Sequence, residues 1–258
     1  MLTPKKRYSW LDQNRAATLP GWRDFERVMV VVFDGQTGED KRIYDVWLPA
    51  STRPGVFYGI SCKMRNELRK AEKKGRAYIE LTNANEALWS AVKSESGLDE
   101  NNYATKPELV GRAIVELVES WHSRVDLRRS GMYDGSRSCY LNLLYDPKSG
   151  RYQLFQFQIN LPDPTLLTWT VRDARKPGRA TIVAYDASDV VFEWFPFSGG
   201  QFKYYPLVEQ ATWRSPVFTL EPLPADLEHI AINKAATYFP HLWSNLQLDA
   251  YDAADYAD

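Results

Sequence analysis

Residues 41–83 have the sequence KRIYDVWLPASTRPGVFYGISCKMRNELRKAEKKGRAYIELTN. It contains three short apolar runs, and each run carries polar residues that a buried strand seldom holds: Asp45, then Ser61 and Lys63, then Glu80. An ionised side chain on such a strand is costly unless it is paired or bound to a metal ion. These residues therefore predict a shared polar site, and their types suggest a metal site.

The order of apolar runs and helical patterns around this stretch predicts a mixed α/β fold. Strands are predicted at residues 27–33, 41–48, 56–64 and 76–82. The first of them, RVMVVVF, is short, continuous and rich in Val, which is typical of a buried strand. Residues 65–74 predict a short helix that Gly75 ends. A helix between two strands favours a crossover, so we expect a mixed sheet flanked by helices, with at least some parallel pairing.

The second half of the chain has a different pattern of predicted secondary structure. Residues 107–124 give the clearest helical pattern, and from residue 138 onward the sequence is rich in strand signals. Residues 139–162 predict a hairpin, and residues 226–239 predict a closing helix. We therefore expect a core over residues 1–136 and a strand-rich C-terminal elaboration over residues 137–258, used for DNA recognition or dimerisation. A single elaborated domain is the alternative.

Composition narrows the class of protein. The chain has 258 residues, of which 44% are hydrophobic, enough to bury a full core. Its two cysteines, Cys62 and Cys139, are too few for a disulfide framework or a zinc cluster, so a reducing cytoplasm is the expected location. No apolar run approaches the roughly 20 residues that cross a bilayer, so we expect a soluble protein without a membrane partner.

The polar residues of the opening stretch can act together because side chains at i and i+2 of a strand share one face. Ser61 and Lys63 therefore project together, and Asp45 on a neighbouring strand can reach the same pocket. A carboxylate binds a hard cation such as Mg²⁺, which polarises a scissile phosphate and helps generate hydroxide. The ammonium of Lys63 can orient the attacking water and offset charge on the phosphate oxygens. This combination indicates phosphodiester hydrolysis.

In these motifs the chain resembles the PD-(D/E)XK nuclease superfamily, and its restriction-endonuclease-like members in particular. The resemblance covers roughly residues 20–95 and rests on Tyr44-Asp45, on Ser61-Cys62-Lys63, and on the helix and IELTN strand that follow. It implies that Asp45 is the metal-binding aspartate and Lys63 the motif lysine. It further implies a restriction-endonuclease-like core and a Mg²⁺-dependent endodeoxyribonuclease that cuts double-stranded DNA at a specific sequence as a homodimer.

The sequence departs from the superfamily pattern at two positions. Tyr44 stands where the motif has Pro, and Ser61 stands where it has the second acid. Since Ser is a weak Mg²⁺ ligand, another carboxylate must complete the site. Glu80 is the first candidate because it lies on an apolar strand, and Glu26 is the second because several superfamily members carry an extra acid near that point.

The same residues also allow structural or non-catalytic interpretations. Asp45 could simply pair with Arg42 or Lys63 across the sheet, and Ser61 also fits a non-catalytic nucleic-acid-binding or interaction protein on a nuclease-like scaffold. A carbohydrate or protein binder built on the aromatic second half is a third alternative. His122 is predicted to be a helix-surface residue. DNA contacts are predicted for basic residues that could equally be a solvated face: Arg65, Arg69, Lys70, Lys73, Arg128 and Arg129.

Overall fold

The fold is taken from a computed structural model that describes residues 21–37, 43–128, 133–172 and 179–220. These residues form a mixed α/β structure with two β-sheets. The helices are α1 (Trp22–Val32), α2 (Leu68–Lys74), α3 (Asn85–Ser96) and α4 (Pro107–Arg128). The strands are β1 (Gln36–Thr37), β2 (Val46–Pro49), β3 (Phe57–Arg65), β4 (Ile79–Thr82), β5 (Cys139–Asp146), β6 (Arg151–Gln158), β7 (Thr168–Arg172), β8 (Thr181–Asp186), β9 (Asp189–Phe195), β10 (Gln201–Tyr204), β11 (Trp213–Arg214) and β12 (Phe218–Thr219).

The first sheet is mixed and has seven strands. Its order is β1-β2-β3-β5-β6-β11, and β12 also pairs with β6. β3 and β5 run parallel, in a register that places Lys63 opposite Asn142, and the other pairs are antiparallel. A parallel pair needs a crossover connection, which here contains α2, β4, α3 and α4. The mixed sheet with parallel pairing is therefore confirmed.

The second sheet has five strands in the order β4-β10-β9-β8-β7, all antiparallel. β4 lies at one edge of it and pairs with β10, so β4 is not a neighbour of β3 in the first sheet. The helix–strand alternation around α2 thus marks a change of sheet, and the parallel partner of β3 is supplied by β5, far along the chain.

The prediction of a strand at residues 27–33 is wrong, because these residues belong to helix α1 and the turn after it. Phe25 and Met29 are one helical turn apart and are both buried, whereas Val28 and Val31 are about half exposed. The Gly21 amide donates to a carboxylate oxygen of Asp24 at 2.8 Å, which fixes the first turn. A continuous apolar run does not by itself distinguish a strand from a helix. Here the four-residue spacing of the buried residues Phe25 and Met29 is the helical one.

Two hydrophobic clusters occupy opposite faces of β3. Ile60 and Cys62 pack on the face that α1 covers, together with Phe25 and Met29. The other cluster lies between the sheets and the remaining helices and includes aromatic residues such as Trp194. Ser61 and Lys63 alternate with Ile60 and Cys62, so they point toward this second side. The alternation gives β3 one apolar face and one face that can line a site.

Most other predicted elements are present. The hairpin of β5 and β6, the strands β8, β9 and β10, and the long helix α4 all occur where the sequence predicts them. Strands from both sides of residue 136 pair in both sheets, and the division into two domains stays a prediction. The predicted closing helix at residues 226–239 lies outside the described residues. Within the described ranges, no helix is long and apolar enough to cross a membrane.

Candidate functional site

A cavity of about 450 Å³ lies where α1, β2, β3 and β4 approach one another. Polar residues predicted from the sequence make up much of its wall, including Glu26, Asp45, Lys63, Arg65 and Glu80. They come from both sheets and from a helix. Its other lining residues are Trp22, Ile43, Cys62, Met64, Leu81, Thr82 and Asn83. The structure therefore brings four of the five predicted catalytic and metal-binding side chains to one cavity.

Asp45 directly precedes β2 and is held against β3 by two backbone hydrogen bonds. Its amide donates to the Ile60 carbonyl at 3.0 Å, and its carboxylate accepts from the Cys62 amide at 2.7 Å. Burial raises the pKa of Asp45, while the charge of Lys63, the Cys62 amide and the Ser61 hydroxyl partly oppose that rise. The carboxylate is thus oriented by the backbone and largely removed from water, a setting in which it would gain from a cation.

Lys63 and Ser61 accompany Asp45 on the same side of β3. The Lys63 ammonium lies 3.9 Å from a carboxylate oxygen of Asp45, and both side chains are about a quarter exposed. Ser61 is 1% exposed and hydrogen-bonds to Asp45, so it supports that carboxylate from inside the sheet. Ser61 does not line the cavity, whereas Lys63 does. The predicted pair of Asp45 and Lys63 is therefore assembled, with Ser61 beneath it.

Tyr44, which stands where the motif has Pro, anchors the chain just before Asp45. Its ring is buried over Gly59, where an added Cβ would lie 2.3 Å from the ring. Its hydroxyl shares a hydrogen bond with Tyr133, and its ring lies 5.1 Å from that of Trp47. Because the ring occupies the space above Gly59, no other residue fits there without moving Tyr44. This packing fixes the position from which Asp45 enters the cavity.

Glu80 lies on the opposite wall, on β4. Its carboxylate is hydrogen-bonded to the Arg65 guanidinium in an ion pair, and the Glu80 side chain is 14% exposed. Arg65 also lies over the ring of Tyr78, with 5.4 Å from its guanidinium carbon to the ring centroid. Lys203 of β10 is opposite Glu80 in the strand register. Glu80 therefore reaches the cavity as predicted, but it faces cations of the protein.

The carboxylates of this cavity have the chemistry of Mg²⁺ ligands, since Mg²⁺ binds oxygen donors and keeps several waters when one or two carboxylates hold it. Glu26, expected just before the first predicted strand, instead lies on α1 and lines the cavity from there. No group of three or more His, Cys, Asp or Glu side chains within the described ranges is arranged to hold a metal ion. Asp45 with one further carboxylate is the set that fits.

The basic residues predicted to contact DNA have different surroundings. Arg65 lines the cavity, whereas Arg69 donates to Asp146 at 2.7 Å. Lys70 pairs with Glu67 at 2.8 Å, and Lys73 lies in the last turn of α2. Arg128 is the last residue of α4, and Arg129 lies outside the described residues. Of the six, Arg65 is the one on the wall of the cavity among the described residues.

The prediction for His122 as a helix-surface residue is wrong, because this side chain is largely buried. Its Nε2 lies 3.3 Å from the Tyr140 hydroxyl, and its ring is stacked on Tyr44 with centroids 6.5 Å apart. Burial lowers the pKa of His122 to about 4. His122 is thus a neutral member of the aromatic packing behind Asp45 at physiological pH.

Sequence reasoning did not identify Trp22 and Asn83 as residues of the cavity wall. Strand alternation does place Thr82 on the same face as Glu80, and Thr82 lines the cavity. Trp22 could not have been found, since the residues after it had been assigned to a strand. The chain matches no family model, no curated protein and no solved structure.

Proposed function

We propose that the protein is a Mg²⁺-dependent endodeoxyribonuclease of restriction type, which hydrolyses phosphodiester bonds of double-stranded DNA at a specific sequence. The observation that carries this proposal is the cavity in which Asp45 and Lys63 approach to 3.9 Å, and which Glu26 and Glu80 also line. A carboxylate that can hold a hard cation and an ammonium that can offset charge on the phosphate oxygens are two of the groups that metal-assisted phosphate hydrolysis uses.

Each residue has a separate task in this proposal. Asp45, fixed by the Cys62 amide, holds the metal together with Glu80 or Glu26. When bound, Mg²⁺ polarises the phosphate and lowers the pKa of a coordinated water. Lys63 orients the attacking water and offsets negative charge on the phosphate oxygens. Arg65, about a third exposed, is positioned to meet the DNA backbone at the cavity mouth.

The arrangement of elements also supports a restriction-endonuclease-like core. A helix precedes three antiparallel strands, and a crossover that contains helices leads to the parallel strand β5. Asp45 directly precedes β2, and Lys63 lies on β3, the strand that pairs with β2. A homodimer would supply two such sites for two cuts in a duplex.

A second candidate function is nucleic-acid binding without cleavage on the same scaffold. Ser61 supplies no carboxylate, and the alternative acid Glu80 is paired with Arg65 in this structure. If Glu80 stays paired when DNA and Mg²⁺ are present, Asp45 is left with too few partners for efficient catalysis. The basic residues would then bind DNA without cutting it.

Incubation of the purified protein with mixed duplex DNA, in Mg²⁺ and separately in EDTA, tests the proposal. We expect discrete fragments in Mg²⁺ and intact DNA in EDTA, because cleavage depends on the cation. Binding measured in the same samples by fluorescence anisotropy separates the two candidate functions. Tight binding with intact DNA in Mg²⁺ supports the non-catalytic protein, and the absence of both cleavage and binding contradicts both candidates. Sequencing of fragment ends identifies the recognition sequence.

A further inference from the structure

A second cavity, of about 790 Å³, has Tyr78 in its lining. Its wall combines residues of helix α2 with residues of β7, β9 and β10. It is lined by Lys70, Lys73, Lys74, Arg76, Arg172 and Lys203, and by three acids, Glu67, Asp189 and Glu193. The lining side chains therefore carry a net charge of +3, which makes the cavity attractive to an anion.

The acids of this cavity are already occupied by cations of the protein. Glu193 is 8% exposed and accepts hydrogen bonds from Arg172 and from the Tyr205 hydroxyl. Asp189 pairs with Arg76 at 3.3 Å, and Glu67 pairs with Lys70. Three ammonium groups have no carboxylate within ion-pair distance among the described residues: Lys73, Lys74 and Lys203. These three account for the positive excess.

Lys203 differs from an ordinary surface lysine. Its ammonium lies 4.0 Å from the Phe195 ring centroid and 5.3 Å from that of Tyr78. Burial lowers the pKa of Lys203, while Glu193 and Glu80 act in the opposite direction. Because the ammonium is partly removed from water, an anionic ligand would gain more from it than from a fully hydrated lysine. Lys203 is thus a preformed cationic contact.

Arg76 gives an independent indication of a ligand. Its side chain is 13% exposed and donates to the Tyr205 carbonyl at 2.8 Å. Its Nε is buried and has no hydrogen-bond partner among the described residues. Buried N–H donors are rarely left without an acceptor in native proteins. Because Arg76 lines the cavity, an oxygen of an anion bound there would be an acceptor for this donor.

The two cavities adjoin along one stretch of extended chain. Tyr78 lines the second cavity and Glu80 the first, only two residues apart, or about 7 Å. Arg65 lines the first cavity and lies over the Tyr78 ring of the second. This separation is small compared with the length of a nucleic acid strand, which advances about 3.4 Å along the duplex axis per nucleotide. Cavities lined by residues this close can therefore be contacted by one strand.

From these observations we infer that the second cavity binds a phosphate group, with Lys203, Lys73 and Lys74 as its cationic contacts. The preferred ligand, which rests on the proposed function, is a backbone phosphate of the DNA strand that enters the first cavity. A free nucleotide offers the same chemistry. Tyr78 and Tyr205, whose rings meet edge to face 5.5 Å apart, would supply an aromatic wall for a base in either case.

Binding in EDTA tests this site without any need for cleavage. We would compare the full chain with Lys203→Gln for a duplex, for AMP and for inorganic phosphate. The matched control is Lys148→Gln, which makes the same chemical change at an exposed residue of the β5–β6 turn. Loss of one phosphate contact is expected to weaken duplex binding about tenfold and to lower its salt-dependence slope by about one. The control should match the parent chain.

The outcomes separate the ligands. Weaker duplex binding by Lys203→Gln identifies a strand phosphate, and weaker binding of AMP or inorganic phosphate alone identifies a free phosphate ligand. Unchanged affinity and salt slope for all three probes would overturn the inference. If Lys203→Gln does not fold, as judged by circular dichroism, the double variant Lys73→Gln/Lys74→Gln on the exposed helix decides by the same criteria. A chain that binds through this site but never cleaves DNA would overturn the nuclease proposal and leave the phosphate site intact.

Discussion

The two walls of the first cavity treat their carboxylates in opposite ways. On the wall of β2 and β3, Asp45 is fixed by a backbone amide and has an ammonium at 3.9 Å. On the wall of β4, Glu80 is hydrogen-bonded to the Arg65 guanidinium, with Lys203 opposite in the register. Asp45 is loosely paired with an ammonium, whereas Glu80 is neutralised by a guanidinium. Under the proposed function, Asp45 can take a cation as it stands, and Glu80 must first exchange Arg65 for one.

This difference suggests how DNA would complete the site. A phosphate of the backbone competes with Glu80 for Arg65, because guanidinium groups bind phosphate and carboxylate in the same bidentate manner. Release of Glu80 would then give the metal its second carboxylate only when the substrate is present. The following predictions test the two walls, beginning with the largest expected effect.

Asp45→Asn should separate activity from stability on the β2–β3 wall. Removal of the charged ligand is expected to lower the cleavage rate roughly 10³-fold, as for other losses of electrostatic stabilisation. Burial raises the pKa of Asp45 in the folded chain, so the stability present at acidic pH is lost as the pH rises through that value. At neutral pH the neutral amide should therefore raise the melting temperature, by about 2–4 °C for a gain of about 1 kcal/mol.

The measurement is thermal unfolding of Asp45→Asn and the parent chain at neutral pH and again below pH 4, beside single-turnover cleavage. The stability difference should shrink at the lower pH, where Asp45 is protonated. A variant that is less stable than the parent at neutral pH would show that the carboxylate is a structural partner of Lys63.

Glu80→Gln, on the β4 wall, should lower the stability of the chain, whereas Asp45→Asn should raise it. Loss of the pair with Arg65 is expected to destabilise the chain by about 1 kcal/mol or less, because Arg65 is 36% exposed. Loss of the second metal ligand should reduce cleavage about 10–100-fold and raise the Mg²⁺ concentration needed. Glu26→Gln is the matched variant for the other acid. A lower melting temperature with unchanged Mg²⁺ dependence would assign Glu80 a structural role alone.

Arg65→Gln tests directly whether Glu80 exchanges Arg65 for Mg²⁺, and its effect, a change in Mg²⁺ affinity, is expected to be the smallest of the three. Without its guanidinium partner, Glu80 is free before DNA arrives, so Mg²⁺ should bind the protein alone up to about fivefold more tightly. Calorimetric titration of Mg²⁺ in the absence of DNA measures this change. Arg69→Gln, which removes an arginine paired to Asp146 away from the cavity lining, is the control. Equal Mg²⁺ affinity in all three chains would contradict the proposed exchange.

Much of the site was predictable because it depends on short-range rules. The i and i+2 positions of Ser61 and Lys63 follow from strand geometry alone, and Asp45 lies next to them because it directly precedes the adjacent strand β2. The polar face of Tyr78, Glu80 and Thr82 could be recognised for the same reason. The residue pattern was sufficient to predict the position of a side chain wherever one strand or one pair of strands determines that position.

The remaining features depend on contacts that are distant in sequence. Residues 27–33 of the α1 region predict a strand because RVMVVVF is apolar after Arg27, whereas the packing of α1 on β3 makes residues 27–32 helical. Lys203 meets Tyr78 only because β10 pairs with β4 across more than a hundred residues. The cationic contact between the two cavities could not be predicted without the sheet order. Likewise, the position of Glu26 depends on the helix and not on the motif.

The most direct test of the central claim, that Asp45 and Lys63 form one metal-dependent site, is single-turnover cleavage of duplex DNA by Lys63→Ala. Lys93→Ala, at an exposed residue of α3, is the matched control. In the presence of Mg²⁺ we expect the cleavage rate of Lys63→Ala to be lower than that of the parent chain by roughly 10²–10⁴-fold, with folding and DNA binding nearly intact. The control should cleave at the parent rate. Full activity of Lys63→Ala in a folded, DNA-binding chain would contradict the central claim.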